Sequence, residues 1–326
     1  MGPTVAARLR KRVVAIGVGC LDQLLLWRDV KAPVVSNKIV DCQAQGGGMA
    51  ATALVTVARL GGRAEYWGAV GTDPVADLIL GGLSAEGVDT RQVVRMDGRR
   101  GPWMVVCVDQ ATAERHFLYT TGLLNPGRPI GSVGRLAGAG CLLIDDTLPE
   151  SDLVAARAAR RRGVPVVADL SWVRDHTRAV LAHVDYAVVS EACARDLGAG
   201  GDARRACEAL RDLGPPRVVV TLGARGLVYL DGDRFGCLDA FPVDVVDTTG
   251  AGDVFHGAFC CGLLLGLGLE RNLVFASAVA AMKCRHIGGR AGIPRLPEVV
   301  AFLRERGIDL LAGAAAQTRK RRPSRR

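Results

Sequence analysis

Short apolar runs alternate with helical stretches along most of this chain. Continuous Val, Leu, Ile and Ala runs of strand length predict strands that are buried on both faces. They lie at residues 13–18, 141–144, 164–168, 184–190 and 218–222, with helices predicted at residues 152–162 and 203–213. Alternation of this kind predicts an α/β fold in which helices wrap a mainly parallel central sheet.

Further β-rich segments lie outside this alternation. Residues 24–27 and 38–42 follow the first strand, while residues 103–108 and 115–119 flank a polar turn and have the pattern of a hairpin. These pieces, at about residues 22–43 and 99–120, predict a small sheet beside the main one.

A glycine-rich loop precedes the first predicted helix, and long apolar helices close the chain. Gly46, Gly47 and Gly48 lead into a helix at residues 50–60, and later helices are predicted at residues 251–267, 272–286 and 297–306. The chain has no internal repeat and no interior low-complexity linker, so we expect one main domain over residues 13–311 with a β outgrowth.

The net charge of +9 is concentrated at the two ends of the 326-residue chain. Arg and Lys without intervening acids crowd residues 8–12 and 319–326, and these ten residues account for the whole excess. We expect residues 1–12 to be a mobile basic segment and residues 312–326 a basic disordered tail. The remaining body is close to neutral, so nucleic acid is not expected as a partner.

The ten cysteines are scattered at irregular spacings without a C-x-x-C pair, which indicates free thiols in a reducing cytoplasm. Histidines do not gather near them, so a structural zinc site is not expected. The longest apolar stretch, residues 260–269, is too short to cross a bilayer. These features predict a cytoplasmic protein that does not enter a membrane.

The segment at residues 247–253, Asp-Thr-Thr-Gly-Ala-Gly-Asp, stands after a run at residues 241–246 that we expect to be extended, and before a long apolar helix. Glycines let a backbone approach a ligand closely, and unpaired N–H groups at a helix start favour an anion such as phosphate. Asp253 would be repelled by that anion unless it had a task, and accepting the proton of an attacking hydroxyl is such a task. The alternative is a helix start whose acid only complements the helix dipole.

The whole segment resembles the signature of the ribokinase-like carbohydrate kinases, the PfkB family. Residues 46–53 (GGGMAATA), 59–61 and 68–73 (GAVGTD) are similar to the family's N-terminal signature, and residues 221–226 (TLGARG) to its nucleotide-side turn. The resemblance spans roughly residues 13–303. It implies a ribokinase-like, Rossmann-type sandwich with a small β-sheet lid over the carboxyl edge of the central sheet, and an ATP-dependent sugar kinase.

The resemblance also implies roles for individual residues. Asp253 would be the general base, beside an anion hole formed by Gly250, Ala251 and Gly252. Asp22, Gly47, Gly48, Thr52 and either Asp145 or Asp146 would hold the sugar, although Asp22 alone could also be a turn or cap residue. Ser190, Thr221, Gly223 and Gly226 would hold ATP, and Asp247 and Thr249 would shape a monovalent-cation site or a purely structural turn.

ATP and Mg²⁺ are the implied cofactors, with K⁺ as a further candidate. Residues 190–193 lack the family's N-x-x-E motif, so the protein contacts of Mg²⁺ are expected to differ. Cys20 and Thr52 stand where the family has sugar-facing Asn residues, so the sugar pocket is not ribokinase-like in detail.

Residues 241–259 and 275–294 look similar to the ketohexokinase and sulfofructose kinase subgroup. Thr147 and Tyr119 stand where the sulfosugar enzymes have an Arg and an Asn, which favours a neutral, fructose-like sugar. A nucleoside kinase is an alternative, against which the scarcity of aromatic residues argues. A non-catalytic sugar-binding protein is a further alternative.

Apolar residues in the predicted lid raise the question of assembly. Trp27, Trp103 and Val105 could pair two subunits, since an uncovered sheet face is a natural dimer surface. A core or substrate-covering role for the same residues is equally compatible with the pattern.

Overall fold

The computed structural model of the chain describes residues 9–27, 39–109, 115–119, 124–198 and 202–310. The predictions for residues 1–8, for the basic tail and for the turn of the lid hairpin lie outside these ranges. Leu9 is buried in the core and Arg12 begins the first strand, one residue before the predicted start of the domain.

Strands and helices follow the predicted order. The strands are β1 Arg12–Ile16, β2 Cys20–Trp27, β3 Ile39–Gly47, β4 Arg63–Trp67, β5 Ala69–Val70, β6 Val94–Arg95, β7 Trp103–Asp109, β8 Arg115–Tyr119, β9 Cys141–Ile144, β10 Val166–Leu170, β11 Tyr186–Ser190, β12 Arg217–Thr221, β13 Leu227–Asp231 and β14 Arg234–Leu238. The helices are α1 Met49–Arg59, α2 Pro74–Ala85, α3 Pro149–Arg161, α4 Thr177–Leu181, α5 Glu191–Asp196, α6 Ala203–Arg211, α7 Ala251–Leu265, α8 Leu269–Lys283 and α9 Leu296–Arg304.

Within the described residues, the main sheet has eight strands in the order β14-β13-β12-β11-β10-β9-β1-β4. The six strands from β12 to β4 in this order pair in parallel, and β13 and β14 add an antiparallel edge. The predicted mainly parallel sheet is therefore confirmed. The carboxyl ends of the parallel strands lie along one edge, which is where ligands bind in open α/β sheets.

Helices cover both faces of this sheet. Val13 and Ala15 in β1 point into a core with α1, α2, α7, α8 and α9, whereas Val14 and Ile16 point into a second core with α3 to α6. All four side chains are fully buried, as continuous apolar strands predict.

The second sheet has the order β3-β2-β7-β8 and forms the predicted lid. Leu24, Leu26 and Val106 bury one of its faces, and Ile287 packs against them. Strand β2 begins at Cys20, four residues after β1 ends at Ile16, and β3 ends at Gly47 just before α1. The lid is thus attached directly at the carboxyl edge of the main sheet.

The structure departs from the sequence predictions in several places. Residues 241–246, expected to be extended, form no strand; instead the amide of Val246 donates to the carbonyl of Cys284 at 2.8 Å. Strands β4, β5, β6, β13 and β14 and helices α2, α4 and α5 were not predicted. Within the described residues, no helix is both long and apolar enough to span a membrane.

Candidate active site

The turn at residues 247–252 is built to leave amide groups exposed at the start of α7. Gly250 adopts a left-handed conformation with φ 72°, and a Cβ there would lie 2.9 Å from the Cα of Gly289. Within the described part of the chain, the amides of Gly250 and Gly252 donate to no protein acceptor. These free donors at a helix N-terminus can bind a phosphoryl group.

Asp253, the third residue of α7, lies half-buried beside these amides. Burial raises its pKa to about 7, and the nearby acids Asp169, Asp22 and Asp145 act in the same direction, while His256 opposes them. A carboxyl group with a pKa near neutrality is suited to take a proton from a hydroxyl and to release it afterwards.

Asp169 and His256 act on the charge of Asp253, and neither was singled out from the sequence. Asp169 in β10 is buried, and its Oδ2 lies 3.2 Å from His256 Nδ1. The two ring nitrogens of His256 lie 2.7 Å from the Gly252 carbonyl oxygen and 3.2 Å from the Val188 carbonyl oxygen. His256 therefore ties the first turn of α7 to β11. An acid inside an apolar strand run, as Asp169 is, was the signal that could have been noticed.

Asp22, predicted to hold the sugar, faces the glycine loop. A Cβ on Gly47 would lie 2.1 Å from Asp22 Oδ2, so only glycine leaves room for this carboxylate. The Cys20 thiol donates to Asp22 Oδ1 at 3.0 Å. Gly48, with φ 87°, precedes α1, and a Cβ there would meet the Val18 carbonyl oxygen at 2.5 Å. The structure thus brings Asp22, Gly47 and Gly48 together as predicted.

Asp145 holds the glycine loop in place from the end of β9. Its Oδ2 accepts hydrogen bonds from the amides of Val18 (2.7 Å) and Ala50 (3.3 Å), and its Oδ1 accepts from the amide and hydroxyl of Thr147. Burial raises its pKa to about 6, although these hydrogen bonds act to lower it. Asp146 turns away from this group toward Thr177 and His176.

Arg290 lies buried between the loop and the acids, and was not singled out from the sequence. Its Nη2 donates to the Gly47 carbonyl oxygen at 2.7 Å and its Nε to Thr52 Oγ1 at 3.2 Å. Its charge acts on Asp22 and Asp253, and burial lowers its own pKa. Because it follows two glycines in a loop, no periodic pattern marks it; only its contacts, more than 200 residues apart in sequence, reveal its place.

The predicted nucleotide residues lie at the ends of β11 and β12. Ser190 and Thr221 pair across these parallel strands, and Ser190 caps α5 by accepting the Cys193 amide at 3.1 Å. Gly223 and Gly226 form the following turn with φ values of 61° and 84°. A Cβ on Gly226 would lie 2.0 Å from the Leu238 carbonyl oxygen.

Asp247 and Thr249 form a closed turn just before the free amides of Gly250 and Gly252. Asp247 Oδ1 accepts from the Thr249 amide and hydroxyl, both at 2.8 Å, and its Oδ2 accepts from the Gly288 amide at 2.7 Å. Burial acts to raise the pKa of Asp247, but these bonds and the charge of Lys283 leave it below its usual value. The buried Lys283 ammonium donates to the Asp247 carbonyl oxygen at 2.9 Å.

A magnesium ion that accompanies ATP fits the acidic edge of this site. Asp169 Oδ2 is a buried carboxylate oxygen without a hydrogen-bond partner among the described residues, and such oxygens are the donors that Mg²⁺ prefers. Glu191, beside Ser190, is instead paired with Arg225 at 2.6 Å on the surface. Asp169 is thus the residue that fits this ion.

The site combines exposed amides that can bind an anion, a carboxyl group whose pKa lies near neutrality, and an acid that faces a glycine loop. Together these features define a phosphotransferase that acts on a hydroxyl. The family model "pfkB family carbohydrate kinase" matches residues 11–296, and the chain belongs to this family. It is therefore a carbohydrate kinase that uses ATP and Mg²⁺, as the sequence resemblance implied.

Curated relatives include the ribokinase of Bacillus subtilis, 26% identical over 299 residues that cover 90% of this chain and 99% of the relative. The ribokinase of Haemophilus influenzae is 26% identical over 266 residues, which cover 79% of this chain and 87% of the relative. The expected membership of a ketohexokinase-like subgroup is not confirmed by these relatives.

Solved structures agree on the fold. A protein from Agrobacterium tumefaciens superposes with a TM-score of 0.86 at 28% identity, covering 91% of this chain and 98% of its own. The ribokinase of Thermotoga maritima gives 0.80 at 25% identity, covering 90% and 99%. The ribokinase-like fold with its lid is therefore confirmed.

Proposed function

We propose that this kinase transfers the γ-phosphoryl group of ATP to a hydroxyl of a small neutral sugar. Asp253 carries the proposal, because it joins a raised pKa to a position beside free amides and within electrostatic reach of Asp22. Asp22 and the loop at Gly47 and Gly48 hold the sugar, and Asp145 positions that loop. Ser190, Thr221, Gly223 and Gly226 hold ATP.

In the proposed step, the sugar hydroxyl gives its proton to Asp253 as its oxygen forms a bond to the γ-phosphorus. The bond from that phosphorus to the β,γ-bridging oxygen breaks, and ADP leaves with the electron pair. The amides of Gly250 and Gly252 stabilise the transferring group. Magnesium neutralises phosphate charge in such reactions. Closure of the lid over the sugar excludes water, so that transfer competes successfully with hydrolysis.

The charges around the pocket support a neutral sugar. Arg290, the buried guanidinium there, already donates to Gly47 and Thr52, and the acids Asp22 and Asp253 act on its charge. Thr147 is buried and donates to Asp145, so this position offers no cation to a sulfonate. An anionic sugar would meet net repulsion between Asp22, Asp145 and Asp253.

A fructose-like sugar is our first choice, with ribose as its direct competitor. Cys20 bonds to Asp22 and Thr52 to Arg290, so neither supplies the amide that a ribokinase-like pocket would present. Relatives named ribokinase, at 26% identity, speak for ribose.

A coupled ADP-release assay with Mg-ATP tests the proposal. Fructose, ribose, 2-keto-3-deoxygluconate, sulfofructose, fructose phosphates and adenosine are compared with the wild type and with Asp253→Asn. We expect turnover with a neutral sugar that the substitution abolishes. Turnover only with an anionic sugar would refute the proposed substrate class. Turnover that survives the substitution would refute Asp253 as the base.

The proposed setting is the cytoplasm, and the proposed assembly is a homodimer through the lid. Free cysteines at all ten positions support a reducing compartment. Trp103 and Leu118 expose 43% and 64% of their surface on the lid sheet, while Val105 is half-buried. The side chain of Trp27 lies outside what the structure describes.

A further inference from the structure

A second cluster of ligating side chains lies on the far side of the β9–α3 turn from the glycine loop. Asp146 follows β9, Asp152 lies in the first turn of α3, and His176 precedes α4. One oxygen or nitrogen from each of the three side chains lies within 4.8 Å of the others. Asp146 and Asp152 are fully buried, whereas the His176 side chain keeps 20% of its surface exposed and leaves a way in.

The polar atoms of this cluster lie close together. His176 Nε2 lies 2.8 Å from Asp146 Oδ1 and 3.8 Å from Asp152 Oδ2. Within the described residues, Asp146 Oδ1, Asp152 Oδ1 and His176 Nε2 are all buried and have no hydrogen-bond partner. Ligand atoms bound about 2.1 Å from one ion lie roughly 3.0–3.4 Å from each other, a range that falls between the two separations given above.

The remaining carboxylate oxygens are held by the protein. Asp146 Oδ2 accepts from the Thr177 hydroxyl, and Asp152 Oδ2 accepts from the Leu148 amide at 3.0 Å. This arrangement orients both carboxylates and leaves one oxygen of each without a donor. Metal-binding carboxylates are typically fixed by such outer hydrogen bonds.

The cluster also faces no fixed positive charge among the described residues. In the part of the chain that the structure describes, no Lys or Arg lies within ion-pair distance of Asp146 or Asp152; Arg174 acts on Asp146 only at longer range. A protonated His176 would neutralise one carboxylate and leave the other buried and unpaired, which is costly. A divalent cation neutralises both.

We propose that Asp146, Asp152 and His176 bind a divalent first-row transition metal, separate from the Mg²⁺ that accompanies ATP. Two carboxylate oxygens and an imidazole nitrogen form a donor set that suits Mn²⁺, Co²⁺ or Zn²⁺. The ion joins the β9–α3 turn to the loop before α4. Because Asp146 adjoins Asp145, the ion also steadies the residue that holds the glycine loop.

A Co²⁺ titration of the full-length, chelator-treated protein tests this site without an activity measurement. Visible d–d bands report Co²⁺ bound by oxygen and nitrogen, and a sulfur charge-transfer band reports binding at cysteines instead. We expect one equivalent to bind to the wild type and at least tenfold weaker binding in Asp152→Asn and in His176→Gln. The matched controls Asp175→Asn and His183→Gln remove an exposed acid and the other histidine of this region, and should bind like the wild type.

Thermal unfolding with Zn²⁺ gives the second measurement. Ligand binding to the native state raises the unfolding temperature, so Zn²⁺ should raise it in the wild type and both controls but not in the two site variants. Circular dichroism without metal shows whether each variant is folded. If only one of the two site variants folds, that variant alone is enough to test the proposal. Binding that is equal in site variants and wild type, binding only at sulfur, or no binding by the wild type would overturn the proposal.

Discussion

At the scale of single residues, Asp253 lies where a negative charge is unfavourable, because Asp22, Asp145 and Asp169 are nearby. Asp253→Asn keeps the size of the side chain and removes its ability to accept a proton. We expect sugar-dependent ADP release to fall about 10²–10⁴-fold, the usual contribution of a general base. Asp212→Asn, which neutralises an exposed acid, is the control and should retain full turnover. A variant of Asp253 with more than a tenth of wild-type activity would contradict the assignment.

The same residue predicts a pH dependence. Burial raises the pKa of Asp253 to about 7, and only its ionised form accepts a proton. Turnover should therefore be low in acid and rise with pH, reaching half its plateau near pH 7. The measurement is kcat/KM for the sugar from about pH 5 to about pH 9 at saturating Mg-ATP. Turnover that has already reached its plateau at about pH 5, as an unperturbed carboxyl with a pKa near 4 would give, would contradict the raised pKa of Asp253.

Asp253 and its glycines could be singled out from the sequence because they form one contiguous string that starts a helix. Asp169 and Arg290 could not be predicted in the same way. Asp169 lies 84 positions before Asp253 in the chain, and Arg290 contacts Thr52 across 238 positions. Local patterns carry no information on such pairings, which arise only when β10, α1 and the C-terminal loop pack together.

At the scale of elements, Arg290 joins the glycine loop to α1. Arg290→Met would leave the buried Gly47 carbonyl oxygen without its donor and Asp22 without its cation. We expect the KM for the sugar to rise at least tenfold, the KM for ATP to stay unchanged, and the free energy of unfolding to fall by about 1–3 kcal/mol. Steady-state kinetics and urea unfolding measure these effects. Arg295→Met, at an exposed position nearby, is the control; equal effects on both substrates would contradict the role of a sugar-side clamp.

The turn before α7 gives another prediction. The Lys283 ammonium donates to the Asp247 carbonyl oxygen, so a fixed positive charge already supports this turn. We predict that turnover does not need K⁺, and that Lys283→Met lowers activity in a way that K⁺ partly restores. Rates in potassium and in tetramethylammonium buffers at equal ionic strength measure this. A wild-type enzyme that is active only with K⁺ would refute the prediction.

Elements were predictable where burial makes a strand uniformly apolar, as in β9 and β12. Strand β4 was missed because Glu65 interrupts its pattern. That acid is buried yet paired with Arg12 at 2.9 Å and with Arg135 at 2.6 Å, and these partners lie far apart in sequence. Strand β14 was missed because it is an edge strand with exposed and half-buried positions, where no continuous apolar run is required.

At the scale of the whole molecule, the main sheet is covered by helices on both faces, whereas the lid sheet has a buried face and an open one. Val105 pairs with Leu118 in the β7–β8 register, and Trp103 lies two positions before Val105, so all three share the open face. The side chains of the opposite face, Leu24, Leu26 and Val106, form the lid core. An apolar sheet face of this kind is most simply covered by the same face of a second copy.

A charge on that face should therefore separate the subunits of the proposed dimer. We expect light scattering after gel filtration to give the wild type a mass of about twice the 34.3 kDa of one chain, and Leu118→Arg the mass of a single chain. Leu118 exposes 64% of its surface, so the substitution leaves the fold of the monomer intact, and its cost arises from two like charges brought together across the two-fold axis. Val154→Arg, at an exposed position of α3, should remain dimeric. A wild type that is monomeric at working concentrations would refute the dimer. Trp103 and Leu118 would then be assigned to covering the substrate instead.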